Sequence, residues 1–184
     1  SPDHHNRLGI ARTFQNLRLF TGLSVLENVL VALHRQPQGS GLDALLNSSR
    51  FRRRQSELRE RALQLLEELG LADQAHRQAS GLAYGDRRRL EIARALATAP
   101  ALLLLDEPAA GMNPREKEQL CELLAQLRQR HQLTLVVIEH HVPLLMQLCQ
   151  RLAVLDFGRL IALGTPEQIQ RDPRVIEAYL GSSR

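Results

Sequence analysis

The chain has 184 residues, 43% of them hydrophobic, with 24 lysines and arginines against 20 aspartates and glutamates. This composition is ordinary for a folded domain, and the small positive excess with only 3% aromatic residues argues against a nucleic acid partner. Charged residues interrupt every apolar run before the roughly eighteen residues that a membrane span needs. No signal-like apolar segment follows the first residues, so we expect a cytoplasmic location.

Three further features exclude particular kinds of site. The arginine triplets at residues 52–54 and 87–89 are interpreted as solvated helix faces, and Cys121 and Cys149 as buried thiols without a disulfide or zinc role. Lys117 is the only lysine, and no glycine-rich loop precedes it. A phosphate-binding loop of the form G-x-x-x-x-G-K-[ST] is therefore absent from this sequence.

The chain opens on the end of a strand, around Ile10 and Phe14, without a preceding hairpin, which indicates a start in mid-domain. From residue 24 to residue 81 apolar residues recur at the helical period in two stretches, and Gly70 ends the second helix. Residues 36–41 and 47–49 are predicted to be loops. The apolar positions are Val25, Leu26, Val29, Leu30 and Leu33 in the first stretch, and Leu58, Ala62, Leu65, Leu66 and Leu69 in the second.

After residue 81 the pattern changes to alternating strands and helices. Helices are predicted at 87–98, 114–129 and 142–150, buried strands at 101–105 and 133–138, and a hairpin with strands at 152–155 and 160–163. Continuous apolar strands between amphipathic helices predict a parallel sheet covered on both faces. Because ligands bind beyond the carboxyl ends of such strands, this rule indicates Asp106 with Glu107, and Glu139 with His140.

Asp106 and Glu107 place two carboxylates at the end of a buried strand, where solvating them is costly without a cation or a reacting water. A capping pair before a helix is the alternative, but the next predicted helix begins only near Pro114. In nucleotide hydrolysis the aspartate would hold Mg²⁺, usually through water, and the glutamate would polarise the attacking water.

A second string precedes the helix at 87–98. Glycine just before a helix lets the backbone approach a ligand, and the first N–H groups of the helix favour phosphate. An ordinary turn with an N-cap explains Gly85 but not the whole string. Its residues are Leu82, Ala83, Tyr84, Gly85 and Asp86.

With these motifs in order, the chain resembles the nucleotide-binding domain of ABC transporters. Residues 12–15 resemble the Q-loop, 82–86 the signature motif, 102–107 the Walker B strand, 110–113 the D-loop, and His140 the switch histidine. The resemblance implies an α/β fold of the P-loop NTPase type, with a mostly parallel sheet covered by helices, an α-helical signature subdomain and a missing N-terminal part. It also implies four segments: 1–23, 24–98, 99–165 and a C-terminal helical tail at 166–184.

The resemblance implies ATP and Mg²⁺ as cofactors, and it assigns roles to single residues. Glu107 would be the catalytic base, His140 a contact to the γ-phosphate, and Gln15 a catalytic sensor of water and Mg²⁺. Asp106 and Gln15 would hold the metal. Contacts to the ATP of a partner ATPase are assigned to Leu82, Ala83, Tyr84, Gly85, Asp86 and Asn113.

The signature string, the D-loop region and the tail from residue 164 to 181 are most similar to the branched-chain amino acid importers, and to the longer of their two ATPases. That similarity implies two membrane permease subunits, a second ATPase in a head-to-tail dimer, and a periplasmic binding protein as an indirect partner. The chain would lie on the cytoplasmic face of the inner membrane. Three positions depart from the general pattern: Ala83 replaces serine, Asn113 replaces aspartate, and His141 stands where aspartate is usual.

Other interpretations stay open at this point. The ATPase of lipopolysaccharide export shares much of the helix after the signature string and a similar tail. A non-transport ABC protein, or a fragment that acts only as a binding partner, is a candidate from a different class. Leu17, Leu19, Phe20 and Leu23 are candidates for the groove that receives a membrane subunit, although core packing explains them equally well.

We expect the 184 residues alone to bind ATP weakly, to hydrolyse it negligibly and to be poorly soluble. Without the lysine loop most direct contacts to the β- and γ-phosphates are lost, and apolar strand faces would be exposed. Isothermal titration with Mg-ATP measures this, and micromolar affinity would contradict the expectation.

Overall fold

The computed structural model describes residues 6–14, 17–34 and 49–180. Strands in this part are β1 Ile10–Arg12, β2 Leu102–Asp106, β3 Thr134–Ile138, β4 Leu152–Asp156 and β5 Arg159–Gly164. Helices in this part are α1 Val25–Leu33, α2 Ser49–Glu68, α3 Tyr84–Leu96, α4 Pro114–Arg130, α5 Val142–Leu148, α6 Pro166–Gln170 and α7 Pro173–Leu180. Among the described helices, none is long and apolar enough to cross a membrane.

A parallel sheet with the strand order β1-β2-β3 forms the centre of the fold. Leu102 of β2 pairs with Ile10 on one side and with Thr134 on the other, and Asp106 pairs with Ile138. All three strands run in the same direction, so their carboxyl ends meet at one edge of the sheet. The residues that follow these strands are therefore neighbours in space although they are far apart in the sequence.

The predicted order of strands and helices is confirmed, while several boundaries differ by one to three residues. Helix α3 begins at Tyr84 rather than at residue 87, because Ala83 in extended backbone serves as its N-cap. Helix α2 begins at Ser49, which was predicted to be in a loop. The predicted hairpin is present as the antiparallel pair β4-β5, which turns at Phe157 and Gly158, both with positive φ.

The parallel sheet lies among helices as predicted, but one face of β3 is only partly covered in the described part of the chain. In β2, Leu103 and Leu105 are buried in the main core, but Val136 and Ile138 of β3 are 47% and 62% exposed. These two side chains line a largely apolar cavity of about 930 Å³ between β3, α5, β4 and α7. Apolar side chains of a strand face are thus partly exposed at Val136 and Ile138, as expected.

Helices α1, α2 and α3 pack against one another and continue the main core away from the sheet. The apolar positions predicted for the first two helices supply this packing: Val25, Val29 and Leu66 are fully buried. Ser24 begins α1 with a capping box, in which its side chain accepts from the Glu27 N–H and Glu27 accepts in return. Gly70 follows α2 with a φ of 67°, a conformation that glycine adopts without strain.

A buried amide connects α1 to the segment before it. Asn28 is fully buried, and its Oδ1 accepts a hydrogen bond of 3.0 Å from the Phe20 N–H. Its Nδ2 donates to the carbonyls of Phe20, at 3.0 Å, and Ser24, at 2.9 Å. One side chain therefore satisfies both backbone groups of Phe20.

The arginine triplets and the cysteines differ in outcome. Residues 52–54 are exposed as predicted, whereas Arg88 is buried and pairs with Glu91, so the interpretation of a solvated face is wrong for Arg88. Cys121 is buried and Cys149 is half-buried, and burial raises the pKa of both thiols above the ordinary value. A raised pKa keeps a thiol protonated and unreactive at neutral pH, which agrees with a structural role.

Replacing Asn28 with alanine is expected to lower the free energy of unfolding by about 1–3 kcal/mol, because the substitution removes three hydrogen bonds and leaves the Phe20 N–H without its partner, while the Phe20 carbonyl keeps the Leu23 N–H. Urea unfolding followed by circular dichroism measures the change. Gln126, an exposed residue of α4, provides the control: its alanine variant should unfold at the wild-type midpoint. Equal midpoints for both variants would contradict this account of Asn28.

Candidate active site

The carboxylate pair lies where β2 leaves the sheet. The Asp106 side chain is 24% exposed and that of Glu107 is 30% exposed. The Glu107 N–H donates to the carbonyl of Ile138 at 2.9 Å, which extends the β2-β3 pairing by one residue. Glu107 has a φ of 46°, in the left-handed region that non-glycine residues rarely occupy. Such strain is concentrated at functional sites, and here it turns the chain away from the sheet directly after Asp106.

His140 reaches the same place from the end of β3. Its Nδ1 lies 3.7 Å from Oε1 of Glu107, and its side chain is 73% exposed. This separation is longer than a hydrogen bond between the two side chains. The structure thus brings Asp106 and Glu107, at the end of β2, close to His140, which follows β3. Glu107 and His140 are 33 positions apart in the sequence.

Glu139 holds these two segments in place. Its side chain is only 1% exposed, and its carboxylate accepts three backbone hydrogen bonds. Oε1 accepts from the Ala109 N–H at 2.9 Å, and Oε2 accepts from the N–H groups of His140 at 3.0 Å and His141 at 3.2 Å. Hydrogen bonds to an ionised carboxylate are among the stronger ones in proteins. Glu139 therefore fixes the chain after Glu107 relative to the chain that carries His140.

Asp106 is paired with an arginine that the sequence did not single out as a site residue. Nη2 of Arg12, at the end of β1, lies 3.0 Å from Oδ2 of Asp106. The backbone N–H of Asp106 also approaches Oγ1 of Thr13 at 3.4 Å. In this arrangement a guanidinium provides the positive charge next to Asp106.

The donor set fits Mg²⁺ that is held mainly by other ligands. No group of three or more histidine, cysteine, aspartate or glutamate side chains suited to a metal occurs within residues 6–14, 17–34 and 49–180. Mg²⁺ is usually bound through one or two carboxylates together with phosphate oxygens and water. Asp106 supplies one carboxylate of this kind, at the end of β2.

The signature string occupies the start of α3. Gly85 lies inside the first turn of the helix rather than before it, which corrects the prediction. Ala83 forms the N-cap and offers no side-chain hydrogen bond to the first-turn N–H groups. These N–H groups and the helix dipole favour an anion at this position. The Leu82 side chain is buried in the core, so a ligand here would meet its backbone.

Tyr84 and Gly85 lie against the segment after the carboxylate pair. A Cβ on Gly111 would come within 3.2 Å of the Tyr84 ring, so the ring rests directly on the glycine backbone. A Cβ on Gly85 would lie 3.4 Å from Oε1 of Glu116. The signature and D-loop residues of one chain are therefore in contact.

Asn113 and Asp86 have structural partners within the chain. Oδ1 of Asn113 accepts from the Glu116 N–H at 3.0 Å, while Oε2 of Glu116 accepts from the Asn113 N–H at 2.8 Å, which forms a capping box at the start of α4. Oδ2 of Asp86 accepts from Nε2 of Gln74 at 3.0 Å. Asn113 is exposed, and its capping contact uses only Oδ1, so its amide N–H groups can still donate to a ligand.

Gln15 lies outside the described residues, but its neighbour Phe14 is held by α3. Nη1 of Arg88 donates to the Phe14 carbonyl at 2.8 Å, and Oε1 of Glu91 accepts from the Phe14 N–H at 3.1 Å. Burial raises the pKa of Glu91, while the Phe14 N–H, Arg88 and the Arg18 N–H act in the opposite direction. The sequence analysis missed Glu91. Its position between the apolar residues Leu90 and Ile92 is the one signal that could have indicated a buried charge.

Two family models match the chain. Residues 2–110 match the model described as ABC transporter, and residues 159–184 match the model described as branched-chain amino acid ATP-binding cassette transporter. The first match covers more than half of the chain, and the second covers its C-terminal tail.

Individual relatives give the same result. The high-affinity branched-chain amino acid transport ATP-binding protein LivG of Escherichia coli is 51% identical over 177 residues, which cover 96% of this chain and 69% of LivG. The lipopolysaccharide export system ATP-binding protein LptB of Haemophilus influenzae is 34% identical over 179 residues, which cover 96% of this chain and 68% of LptB.

A solved structure confirms the fold. The ADP conformation of MJ1267, an ATP-binding cassette of an ABC transporter, superimposes with a TM-score of 0.78 at 30% identity, over 99% of this chain and 72% of MJ1267. The parallel strands with acidic residues at their carboxyl ends, the matched model and these relatives agree. The chain belongs to the ABC transporter family of ATPases.

Proposed function

We propose that the chain is the ATP-hydrolysing subunit of an importer for branched-chain amino acids. The observation that carries the proposal is the convergence of Asp106, Glu107 and His140 at one edge of the sheet, together with a tail that matches the branched-chain amino acid model. The similarity to LivG, whose name states this transport, supports the choice of substrate.

In the proposed reaction, Glu107 orients and deprotonates the water that attacks the γ-phosphate. Its position next to His140 supports this role, because an imidazole 3.7 Å away can contact the phosphate while Glu107 contacts the water. Bound Mg-ATP supplies the transferable phosphoryl group and a metal ion that neutralises its charge. Asp106 and Gln15 would contribute metal ligands, and Asp106 would exchange its contact with Arg12 for one with the metal.

The start of α3 would serve a second nucleotide. We propose that the backbone of Leu82 and Ala83, the side chain of Tyr84, and the residues Gly85, Asp86 and Asn113 face the ATP held by a second ATPase subunit in a head-to-tail dimer. Tyr84 is 43% exposed, and the first-turn N–H groups of α3 have no side-chain cap from Ala83. Both features support an anionic ligand from outside the chain.

The helical part would meet the two membrane permease subunits, which a periplasmic binding protein would supply with amino acids. Phe20 and Val31 are 46% and 45% exposed in this part of the chain, whereas Leu19 packs against the core. Exposed apolar side chains are typical of contact surfaces. This arrangement would hold the subunit peripherally at the cytoplasmic face of the inner membrane.

Lipopolysaccharide export is the competing function. LptB shares the motifs at lower identity, 34% against 51% for LivG. Uptake of labelled leucine by the protein assembled with its membrane subunits in liposomes separates the two functions, because an exporter of lipopolysaccharide would give no leucine uptake.

Replacing Glu107 with glutamine should reduce ATP hydrolysis by about 10²- to 10⁴-fold, because an amide cannot accept the proton of the attacking water. ATP binding should persist, since the amide keeps the shape of the carboxylate. Phosphate release by the complete gene product measures hydrolysis, and Glu118, an exposed residue of α4, is the control as its glutamine variant. A Glu107→Gln variant with more than half of the wild-type rate would exclude Glu107 as the base.

Replacing Glu139 with glutamine should lower kcat about tenfold or more and change KM for ATP much less. The amide nitrogen of glutamine cannot accept the N–H of Ala109 or of His140 and His141, so the two catalytic segments lose a shared attachment. Steady-state kinetics measure both constants. The control is Glu122→Gln on the exposed face of α4, which should leave kcat unchanged. If Glu139→Gln raises KM for ATP and leaves kcat constant, the positioning role is contradicted.

A further inference from the structure

Three side chains of α3, each three residues apart, hold the chain on both sides of Gln15. We name Arg88, Glu91 and Arg94 the α3 clamp. Arg88 and Glu91 bind the carbonyl and the N–H of Phe14, at 2.8 and 3.1 Å. On the other side of Gln15, Nη1 of Arg94 donates to the Arg18 carbonyl.

Aromatic contacts strengthen the same connection. The Arg94 guanidinium lies 4.8 Å from the centre of the Phe20 ring, and the Arg18 guanidinium lies 4.2 Å from that of the Phe14 ring. Distances of this size are typical of cation–π contacts. Hydrogen bonds and the contact between Arg94 and Phe20 therefore attach residues on both sides of Gln15 to α3. The contact between Arg18 and Phe14 joins the two sides to each other.

Burial makes this attachment specific. The side chains of Arg88 and Glu91 are 3% and 7% exposed and lie 3.4 Å apart. A buried ion pair is costly to desolvate and is often replaceable by apolar residues without loss of stability, so its presence calls for a role besides stability. Here both charged groups also bind the backbone of one residue, Phe14, which directly precedes Gln15.

The clamp also extends to the signature string. Nη2 of Arg88 donates to the Tyr84 hydroxyl at 3.1 Å, and the guanidinium lies 5.6 Å from the centre of the Tyr84 ring. Arg88 thus connects the residue proposed to meet the partner's ATP with the residue next to Gln15. A displacement of Tyr84 would be transmitted to Phe14 through a single buried side chain.

We propose that Arg88, Glu91 and Arg94 are positioning residues that hold Phe14 and Arg18, on the two sides of Gln15, and that metal-dependent ATP hydrolysis requires this attachment. The proposal rests on the role given to Gln15 in the proposed function. Only three residues separate Phe14 from Arg18, so fixing both ends limits the conformations open to the residues between them.

The first test measures the backbone directly. In the complete gene product, the double variant Arg88→Met/Glu91→Met removes both charges at once and keeps apolar packing, which protects the fold. Amide hydrogen exchange in overlapping peptides covering residues 12–20 should become about tenfold faster or more, while exchange of β2 stays at the wild-type rate. Glu91→Gln, which retains one acceptor oxygen, should give an intermediate rate.

Glu68 offers a matched control. It is a carboxylate that also makes a long-range contact, 2.7 Å from Nε2 of His131, but it has no contact with the segment around Gln15 among the contacts of the described residues. Glu68→Gln should leave exchange of residues 12–20 unchanged. Unchanged exchange of these residues in the double variant would overturn the proposal.

The second test measures the consequence for the metal. The Mg²⁺ concentration that gives half-maximal ATP hydrolysis should rise about tenfold in the double variant and in Arg94→Met, and it should stay near the wild-type value in Arg94→Lys, which keeps a donor and a charge. A wild-type Mg²⁺ dependence in the double variant would overturn the proposal. Absence of hydrolysis in the wild-type protein would instead contradict the proposed function, and the exchange result would be unaffected.

Discussion

The pairing register between β2 and β3 determines where the charged groups of the active site lie. Asp106 pairs with Ile138, and the Glu107 N–H continues the pairing to the Ile138 carbonyl. Because side chains alternate between the two faces of a sheet, a shift of one residue would exchange the buried and exposed sides of β2. Leu103 and Leu105 would then leave the core, so their burial favours the observed register. The register in turn sets the positions of Asp106, Glu107 and His140.

Two buried carboxylates also hold loop segments near the active site in position. Glu139 and Glu91 each accept backbone N–H groups from a segment distant in the sequence, Ala109 in one case and Phe14 in the other. Neither carboxylate is exposed enough to act on a substrate by itself. Glu139 joins two loops to each other and Glu91 attaches a loop to α3, which lets residues on loops keep a defined position without being buried themselves. Catalytic groups such as His140 can then stay exposed to the ligand.

The order of strands and helices could be predicted from the sequence, because the period of apolar residues distinguishes them. The position of Asp106, Glu107 and His140 at one edge of the sheet could be predicted from the rule for parallel sheets. Helix α3 was predicted to begin three residues later than it does, because glycine is unfavourable inside a helix and Gly85 therefore indicated a turn. The contacts of Arg88 with Phe14 and of Arg12 with Asp106 join residues 74 and 94 positions apart. A single sequence contains no signal for such pairs, and charge alone suggested a solvated face for Arg88. Gln15 remains a prediction, since it lies outside the described residues.

The backbone conformation of Glu107 also bears on how this position can vary over evolution. At a φ of 46°, glycine or asparagine would be the more comfortable residue, by an amount of order 1 kcal/mol. A lineage selected for stability alone would drift toward those residues at position 107. Glutamate at position 107 therefore lowers the stability of the folded state. A descendant that no longer hydrolyses ATP should lose this carboxylate before its hydrophobic core changes.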